Sequence, residues 1–210
     1  MIKLNFGIKF TKEKLACFDL DHTLIKTKSG KTFPIDSKDW IWNYDSIPNK
    51  INELHKNNYN IIIFTNQLGI SKNKVTKEEI VSKIKDIQEK LNIPLLVYIS
   101  FKDDIFRKPR IGCWKDLIKN YNIKINYSES FYVGDMAGRI KTLNYKKDRN
   151  DSDRKFSKNI KLKFFTPEMF FLNQKEREWK FNDYLLDYKS IKKNLIIKTL
   201  NEKELLLISG

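Results

Sequence analysis

The chain predicts an α/β fold, a Rossmann-like parallel sheet flanked by helices. Short apolar runs recur at residues 15–20, 59–65, 95–100 and 130–133, and helical patterns fill the intervals between them. Three of these runs stop abruptly at polar groups: Asp19 and Asp21, Thr65 and Asn66, and Asp135. Buried strands whose carboxyl ends carry such groups are how open α/β sheets present a ligand site. The length, 210 residues, suits one α/β domain with an appendage.

In chain order, Leu15-Ala16-Cys17-Phe18 is a first buried strand. Residues 46–57 carry Pro48 near their start and Ile51 and Leu54 on one face, which predicts a helix. The second strand is Ile61-Ile62-Ile63-Phe64. Thr76-Lys77-Glu78-Glu79 then forms a capping box, and Ile80, Ile84, Ile87 and Leu91 follow at helical spacing as a core-facing stripe. Residues 95–100 are a third strand, 114–121 a helix and 130–133 a fourth strand, with a weaker strand at 162–165. Residues 141–158 are polar and charged without periodicity and read as a loop. From Asn173 the chain becomes Lys/Glu-rich, so residues 1–172 are taken as the domain and 173–210 as a linker with a terminal strand.

Lysine and arginine total 41 against 26 acidic residues, a net charge of +15 with a pI near 9.6. Such an excess invites a polyanionic partner, although an AT-biased genome would also enrich lysine, asparagine and isoleucine. The two cysteines, Cys17 and Cys113, form no C-x-x-C pair, which argues against a structural zinc site and for a reducing, intracellular compartment. The N-terminus lacks the apolar core of a signal peptide. No stretch approaches the ~18 apolar residues of a membrane span.

The chemistry lies in four stretches. Phe18-Asp19-Leu20-Asp21-His22-Thr23 places two carboxylates two residues apart, one able to attack phosphorus and the other to move a proton. Thr65-Asn66-Gln67 offers a hydroxyl and an amide to phosphate oxygens. Arg107-Lys108-Pro109 brings a planar guanidinium and a compact ammonium. Val133-Gly134-Asp135-Met136-Ala137-Gly138-Arg139 ends another strand in an acid, and Asp135 with Asp19 could hold a hard divalent cation. Each stretch alone has an ordinary structural reading: solvated strand-end acids, a polar turn, a charged surface run.

In order, acid-x-acid-x-Thr, then Thr, Lys and Gly-Asp, the set resembles the haloacid dehalogenase superfamily of phosphotransferases. Within it, residues 15–172 resemble the phosphatase domain of the polynucleotide kinase 3′-phosphatases. Segments that carry this narrower likeness include Ser29-Gly30-Lys31-Thr32-Phe33-Pro34, Asp39-Trp40, Asn66-Gln67-Leu68-Gly69, Gly112-Cys113-Trp114 and Phe165-Thr166-Pro167-Glu168. The resemblance implies a haloacid dehalogenase fold without a large cap domain and a magnesium-dependent phosphatase acting on 3′-phosphorylated DNA ends at strand breaks. Asp19 would form a phospho-aspartate and Asp21 would serve as acid and then base. Thr65, Asn66 and Lys108 would bind the phosphate, with Arg107 and Arg139 placing phosphate or backbone. Asp19, Asp135 and the backbone carbonyl of Asp21 would hold Mg2+, with Asp153 near the metal through water. His22 stands where the wider superfamily often has glycine and is read as a loop residue flanking the site.

Two other functions compete: a phosphatase of small metabolites, whose relatives often carry a cysteine cluster absent here, and a catalytically dead module that recognises DNA ends. Trp40, Trp42 and Trp114 invite base stacking, but packing on the sheet is the expected place for most of them. No G-x-x-x-x-G-K-[ST] occurs, so no ATP site and no 5′-kinase activity are expected of this chain. The protein is expected to act as a monomer. The terminal run Leu205 to Ile208, ending near Gly210, reads either as a strand leading to a kinase phosphate loop or as a tail strand.

Overall fold

The computed structural model describes residues 1–181. The compact unit is Met1–Lys180; a second unit, Phe181–Gly210, contributes only Phe181 to the described residues. The terminal run Leu205 to Ile208 and most of the expected linker therefore lie outside the described residues.

Six strands form one sheet: β1 (Ile2–Phe6), β2 (Lys14–Phe18), β5 (Tyr59–Asn66), β6 (Leu95–Ser100), β7 (Phe131–Val133) and β8 (Lys163–Phe165), in the order β1-β6-β5-β2-β7-β8. All neighbours pair in parallel except β1, which runs antiparallel to β6 at the edge. The remaining two strands, β3 (Ile25–Lys26) and β4 (Ile41–Trp42), make a separate small sheet. Between the first two motifs the chain adds only this sheet, the helix at Ile47–Lys56 and connecting loops, so no large cap domain covers the site among the described residues.

Alternate residues of each central strand go to opposite faces. Ala16, Phe18, Ile61, Ile63, Val97, Ile99 and Val133 pack with Ile47 and Ile51 of helix α1 (Ile47–Lys56) and with Ile80, Ile84 and Ile87 of α2 (Lys77–Leu91). Leu15, Cys17, Ile62, Phe64, Leu96, Tyr98 and Tyr132 pack with Cys113, Trp114 and Leu117 of α3 (Gly112–Tyr121) and with Phe156 of α4 (Ser152–Asn159). Burial on both faces is why these strands read as continuous apolar runs. The chain leaves β2 to build β5 and β6 on one side, then returns to build β7 and β8 on the other. The switch point lies at the carboxyl end of β2, beside Asp19.

Local signals explain the boundaries. Thr76 accepts from the Glu79 amide at 3.1 Å and its own amide donates to Glu79 Oε2 at 2.7 Å, the reciprocal cap read from the sequence. The structure departs from the expected loop over residues 141–158, because α4 occupies Ser152–Asn159. The inward face of α4 holds Asp153, Arg154 and Ser157 beside Phe156. A helix buried through polar groups has no apolar stripe to announce it. Strand β1 and helix α5 (Pro167–Leu172), capped by Thr166, were also not expected. Trp40 and Trp114 are buried, and the Trp40 indole donates to Asp86 at 2.9 Å, so neither presents an open face for a base.

Packing continues past Leu172. The Ile140 amide donates to Glu178 O at 3.1 Å and the Lys180 amide to Gly138 O at 3.0 Å. The Arg154 guanidinium lies 3.9 Å from the Trp179 ring centre and 2.7 Å from Glu176 Oε1. Removing residues 173–181 would take these two partners from a buried guanidinium, leaving it the Ala137 carbonyl and the Phe164 ring, a loss of about 1–3 kcal/mol. A chain ending at Leu172 should therefore melt roughly 2–12 °C below one ending at Phe181. Thermal denaturation followed by circular dichroism checks this, and equal melting temperatures would show that 173–181 adds nothing to the domain.

Candidate active site

A cleft of about 420 Å³ opens at the switch point. Asp19 and Asp21 reach it from the turn after β2, Thr65, Asn66 and Gln67 from the end of β5, Arg107 and Lys108 from the loop before α3, Asp135 from the turn after β7, and Asp153 from the first turn of α4. Residues spread over more than 130 positions of sequence thus meet because parallel strands all point their carboxyl ends one way.

The turn after β2 closes on itself. Leu20 O accepts from the amides of Leu24 at 2.9 Å and Ile25 at 3.1 Å, and His22 takes a left-handed conformation with φ of 59°. The Thr23 hydroxyl donates to Asp19 Oδ2 at 3.3 Å. His22 lines the mouth of the cleft beside the carboxylates.

Lys108 is the hub. Its buried ammonium lies 2.6 Å from Asp19 Oδ1, 2.7 Å from Asp153 Oδ1 and 2.8 Å from the Tyr132 hydroxyl. Tyr132 in turn donates to Asp153 Oδ1 at 2.9 Å. Burial pulls the lysine towards its neutral form, but Asp153 and Asp19 outweigh that and hold its pKa above the ordinary value. Asn66 makes a reciprocal bond with the Lys108 backbone: its Nδ2 donates to Lys108 O at 3.2 Å and its Oδ1 accepts from Lys108 N at 3.1 Å. The carboxamide is engaged in fixing the lysine, so phosphate contact, the role expected of Asn66, is not its present bonding.

Asp19, Asp135 and Asp153 offer one carboxylate oxygen each within 4.8 Å of one another, all three buried. Burial pushes the Asp19 carboxyl up to about 7, Lys108 opposing and Asp153 adding to the rise. Burial, then Asp19 and Asp153, hold Asp135 well above the usual carboxylate range. Three crowded acids against one lysine are short of positive charge, and their oxygens are hard donors. That donor set fits a hard divalent cation such as magnesium. Gly134 makes the crowding possible: a Cβ there would stand 2.6 Å from Cβ and Cγ of Asp153.

Asp21 stands apart, its side chain 43% exposed. Gln67 Nε2 donates to its Oδ2 at 2.5 Å and also to Thr65 Oγ1 at 2.8 Å, while Lys83 Nζ lies 3.4 Å from its Oδ1. Thr65 is buried at the cleft floor, and Arg107 lines the wall with a buried Nη1 that has no hydrogen-bond partner. Arg139, expected to place phosphate or backbone, does not line the cleft. Its guanidinium donates to Asp148 at 2.8 and 3.0 Å, to Glu168 at 2.7 Å and to the Asp135 carbonyl at 2.9 Å. Those bonds occupy it with holding the Asp135 turn, and Asp148 Oδ2 also accepts the amides of Ala137 and Arg139.

Lys83, Gln67, Tyr132 and Asp148 were missed in the sequence. The signal for Lys83 was present: it sits three residues after Ile80, on the apolar face of α2, and is 3% exposed. A lysine in a core stripe needs a partner. Tyr132 looked like one more apolar strand residue, and Asp148 sits in a charged run with no local pattern to single it out.

The polynucleotide kinase 3 phosphatase family profile matches residues 14–171. A bifunctional polynucleotide phosphatase/kinase of Schizosaccharomyces pombe is 44% identical over 165 residues, covering 79% of this chain and 39% of that protein. A polynucleotide 3′-phosphatase of Arabidopsis thaliana is 38% identical, covering 76% and 24%. A 20.8 kDa protein of Autographa californica nuclear polyhedrosis virus is also 38% identical, covering 76% and 86%. The chain thus spans well under half of the yeast and plant relatives. Among solved structures, a D,D-heptose 1,7-bisphosphate phosphatase from B. bronchiseptica aligns with a TM-score of 0.57 at 16% identity, covering 79% and 88%. A HAD-like phosphatase from Mesorhizobium loti aligns equally well at 17% identity, covering 74% and 73%. These place the sheet in the haloacid dehalogenase fold. From residue 14 to residue 171, this chain belongs to the polynucleotide kinase 3 phosphatase family.

Proposed function

We propose that the chain is a magnesium-dependent polynucleotide 3′-phosphatase that converts 3′-phosphorylated DNA ends at strand breaks to 3′-hydroxyls through a phospho-aspartate. The observation that carries this reading is the buried Lys108 held against Asp19, with Asp135 and Asp153 beside it, at the floor of an open cleft.

Asp19 attacks phosphorus, and the bond from phosphorus to the sugar O3′ breaks as the leaving oxygen takes a proton from Asp21. In the second half Asp21 takes a proton from water, the water oxygen bonds to phosphorus, and the bond to Asp19 breaks. Lys108 and Thr65 hold phosphoryl oxygens while Lys108 keeps Asp19 aimed. Asp19, Asp135 and the Asp21 carbonyl would hold Mg2+, which supplies positive charge against the phosphoryl oxygens. Both oxygens of Asp153 already accept protein donors, Oδ1 from Lys108 and Tyr132 and Oδ2 from the Met136 amide, which supports a place beside the metal through water.

The walls support a polymeric substrate. Lys26, Lys72, Lys74, Arg107 and Arg149 line the cleft together with the acids, and between the first two motifs only the small β3–β4 sheet, helix α1 and loops intervene. Several cations around an open cleft suit a polyanionic strand of phosphates.

Asp19→Asn should abolish turnover of a 3′-phosphorylated oligonucleotide, because an amide cannot attack phosphorus, and Asp21→Asn should lower it by about 10²–10⁴-fold. Activity of Asp19→Asn above trace level would sink the assignment. Wild-type turnover set beside both variants, on the oligonucleotide and on sugar phosphates, also separates a polynucleotide enzyme from a metabolite phosphatase or an inactive DNA-end module.

Activity should vanish in chelator and return with magnesium. The raised carboxyl of Asp19 binds its proton more tightly when folded than unfolded. Its contribution to metal-free stability is therefore present at low pH and fades as pH rises from the ordinary carboxylate range towards about 7. Protons and magnesium compete for the same oxygens, so the rise in melting temperature on adding magnesium should be larger at pH 8 than at pH 5. A rise that is equal or larger at pH 5 would contradict a metal on these carboxylates.

Binding of a 3′-phosphorylated single strand should weaken with salt, with a log–log slope of about −0.7 per phosphate contacted, while a small phosphate ester responds far less. Equal slopes would mean the basic walls do not track nucleic acid.

A further inference from the structure

We infer that Lys83 of α2 is a positioning residue that, together with Gln67, holds the carboxyl of Asp21 in the orientation proton transfer needs. This rests on the reading of Asp21 as the group that protonates the leaving oxygen.

Asp21 is placed unlike the other acids. Asp19, Asp135 and Asp153 are buried, their surroundings leaving little freedom, whereas the Asp21 side chain is 43% exposed on a turn. An exposed carboxyl rotates freely unless donors hold it. Two do, from different elements. Gln67, at the end of β5, donates to Oδ2 at 2.5 Å and is itself tied to Thr65 Oγ1 at 2.8 Å. Lys83, from α2, faces Oδ1 at 3.4 Å. One oxygen is held from each side, which fixes the plane of the carboxyl.

Helix packing does not explain Lys83. It lies on the face that carries Ile80, Ile84 and Ile87 into the core, and it is 3% exposed. An apolar residue there would pack without a desolvation cost, and an ammonium sunk among isoleucines is retained at the expense of stability unless its charge has a use. The end of its stem emerges at the cleft wall, and its acidic partner there is Asp21. The pair of catalytic acids thus has a pair of lysines, Lys108 on Asp19 and Lys83 on Asp21.

The function of this clamp would be to deliver the Asp21 proton to the departing oxygen as the phosphorus–oxygen bond breaks and the Asp19–phosphorus bond forms. Such positioning matters most when the leaving group is strongly basic and needs its proton early. The test is the dependence of kcat/KM on leaving-group basicity across substituted phenyl phosphates and one alkyl phosphate, in the full chain with magnesium. These small esters avoid any contact with a polynucleotide.

Asp21→Asn should steepen the dependence, losing about 10²-fold or more on the alkyl phosphate relative to 4-nitrophenyl phosphate, whose phenolate leaves without a proton. Lys83→Met, which keeps the methylene length that packs on the core, should steepen it in the same sense by about tenfold, misplacement of a catalytic group being worth up to about 10²-fold. Lys83→Gln is the second variant. A partial loss of folded protein scales every substrate alike and leaves the slope untouched. An Asp21→Asn line parallel to wild type would overturn Asp21 as the acid, and the inference with it. A steepened Asp21→Asn line with both Lys83 variants parallel to wild type would overturn the role of Lys83 alone.

Discussion

The ammonium of Lys108, buried between Asp19 and Asp153, is the contact on which the arrangement of the site depends. Three elements distant in sequence converge on it: the turn after β2 through Asp19, strand β7 through Tyr132, and helix α4 through Asp153. None of these charges could sit in the interior alone, since stripping a carboxylate or ammonium of water costs several kcal/mol. Each is tolerated because the others are there. The central strands are apolar on both faces, so the carboxyl edge of the sheet is where polar groups from separate strands can meet. Apolar burial sets the elements, and the charged cluster sets how their ends face one another.

That cluster is supported by a second, purely structural one. Arg139 ties Asp148, Glu168 and the Asp135 carbonyl together, and Arg154 donates to the Ala137 carbonyl at 2.7 Å. The turn that carries Asp135 is thereby held from both sides. Gly138, with φ of 73°, lets this turn reverse where a side chain would meet Lys180 O. An acid required to share a site with two others must be prevented from swinging away from them. Hydrogen bonds to its backbone do this without neutralising its charge.

The legibility of the sequence follows from the same division. Strands β2, β5, β6 and β7 were readable because burial on both faces leaves an unbroken apolar run, and α2 because its capping box and isoleucine stripe agree. Asp19, Asp21, Lys108 and Asp135 stood out because each ends a strand or precedes a turn in a recognisable order, and the structure brings all four to one cleft. Helix α4 was not readable. Its inward face is polar, and the partners that make such a face burial-competent, Tyr132, Lys108, Ala137 O and Glu176, lie elsewhere in the chain. Arg139 was assigned to substrate by family resemblance alone, and its acids, Asp148 and Glu168, become neighbours only on folding. Long-range polar pairing is the part of a fold that local pattern carries least.

Under the proposed mechanism the uneven burial of the four acids has a chemical logic. A nucleophile and metal-binding carboxylates gain from a dry site, where a cation acts on them with little screening. A group that must pass a proton to a departing oxygen and later take one from water has to touch both partners, so it belongs at the rim. The fold supplies both conditions within three residues. Leu20 points into the core between them and its carbonyl anchors the turn, leaving Asp19 buried and Asp21 open. In the proposed mechanism the alternation of a strand end becomes a division of labour between two otherwise identical side chains. The cost of that exposure is freedom of rotation, and restraint has to come from outside the turn. Here it comes from the amide of Gln67 and the ammonium of Lys83.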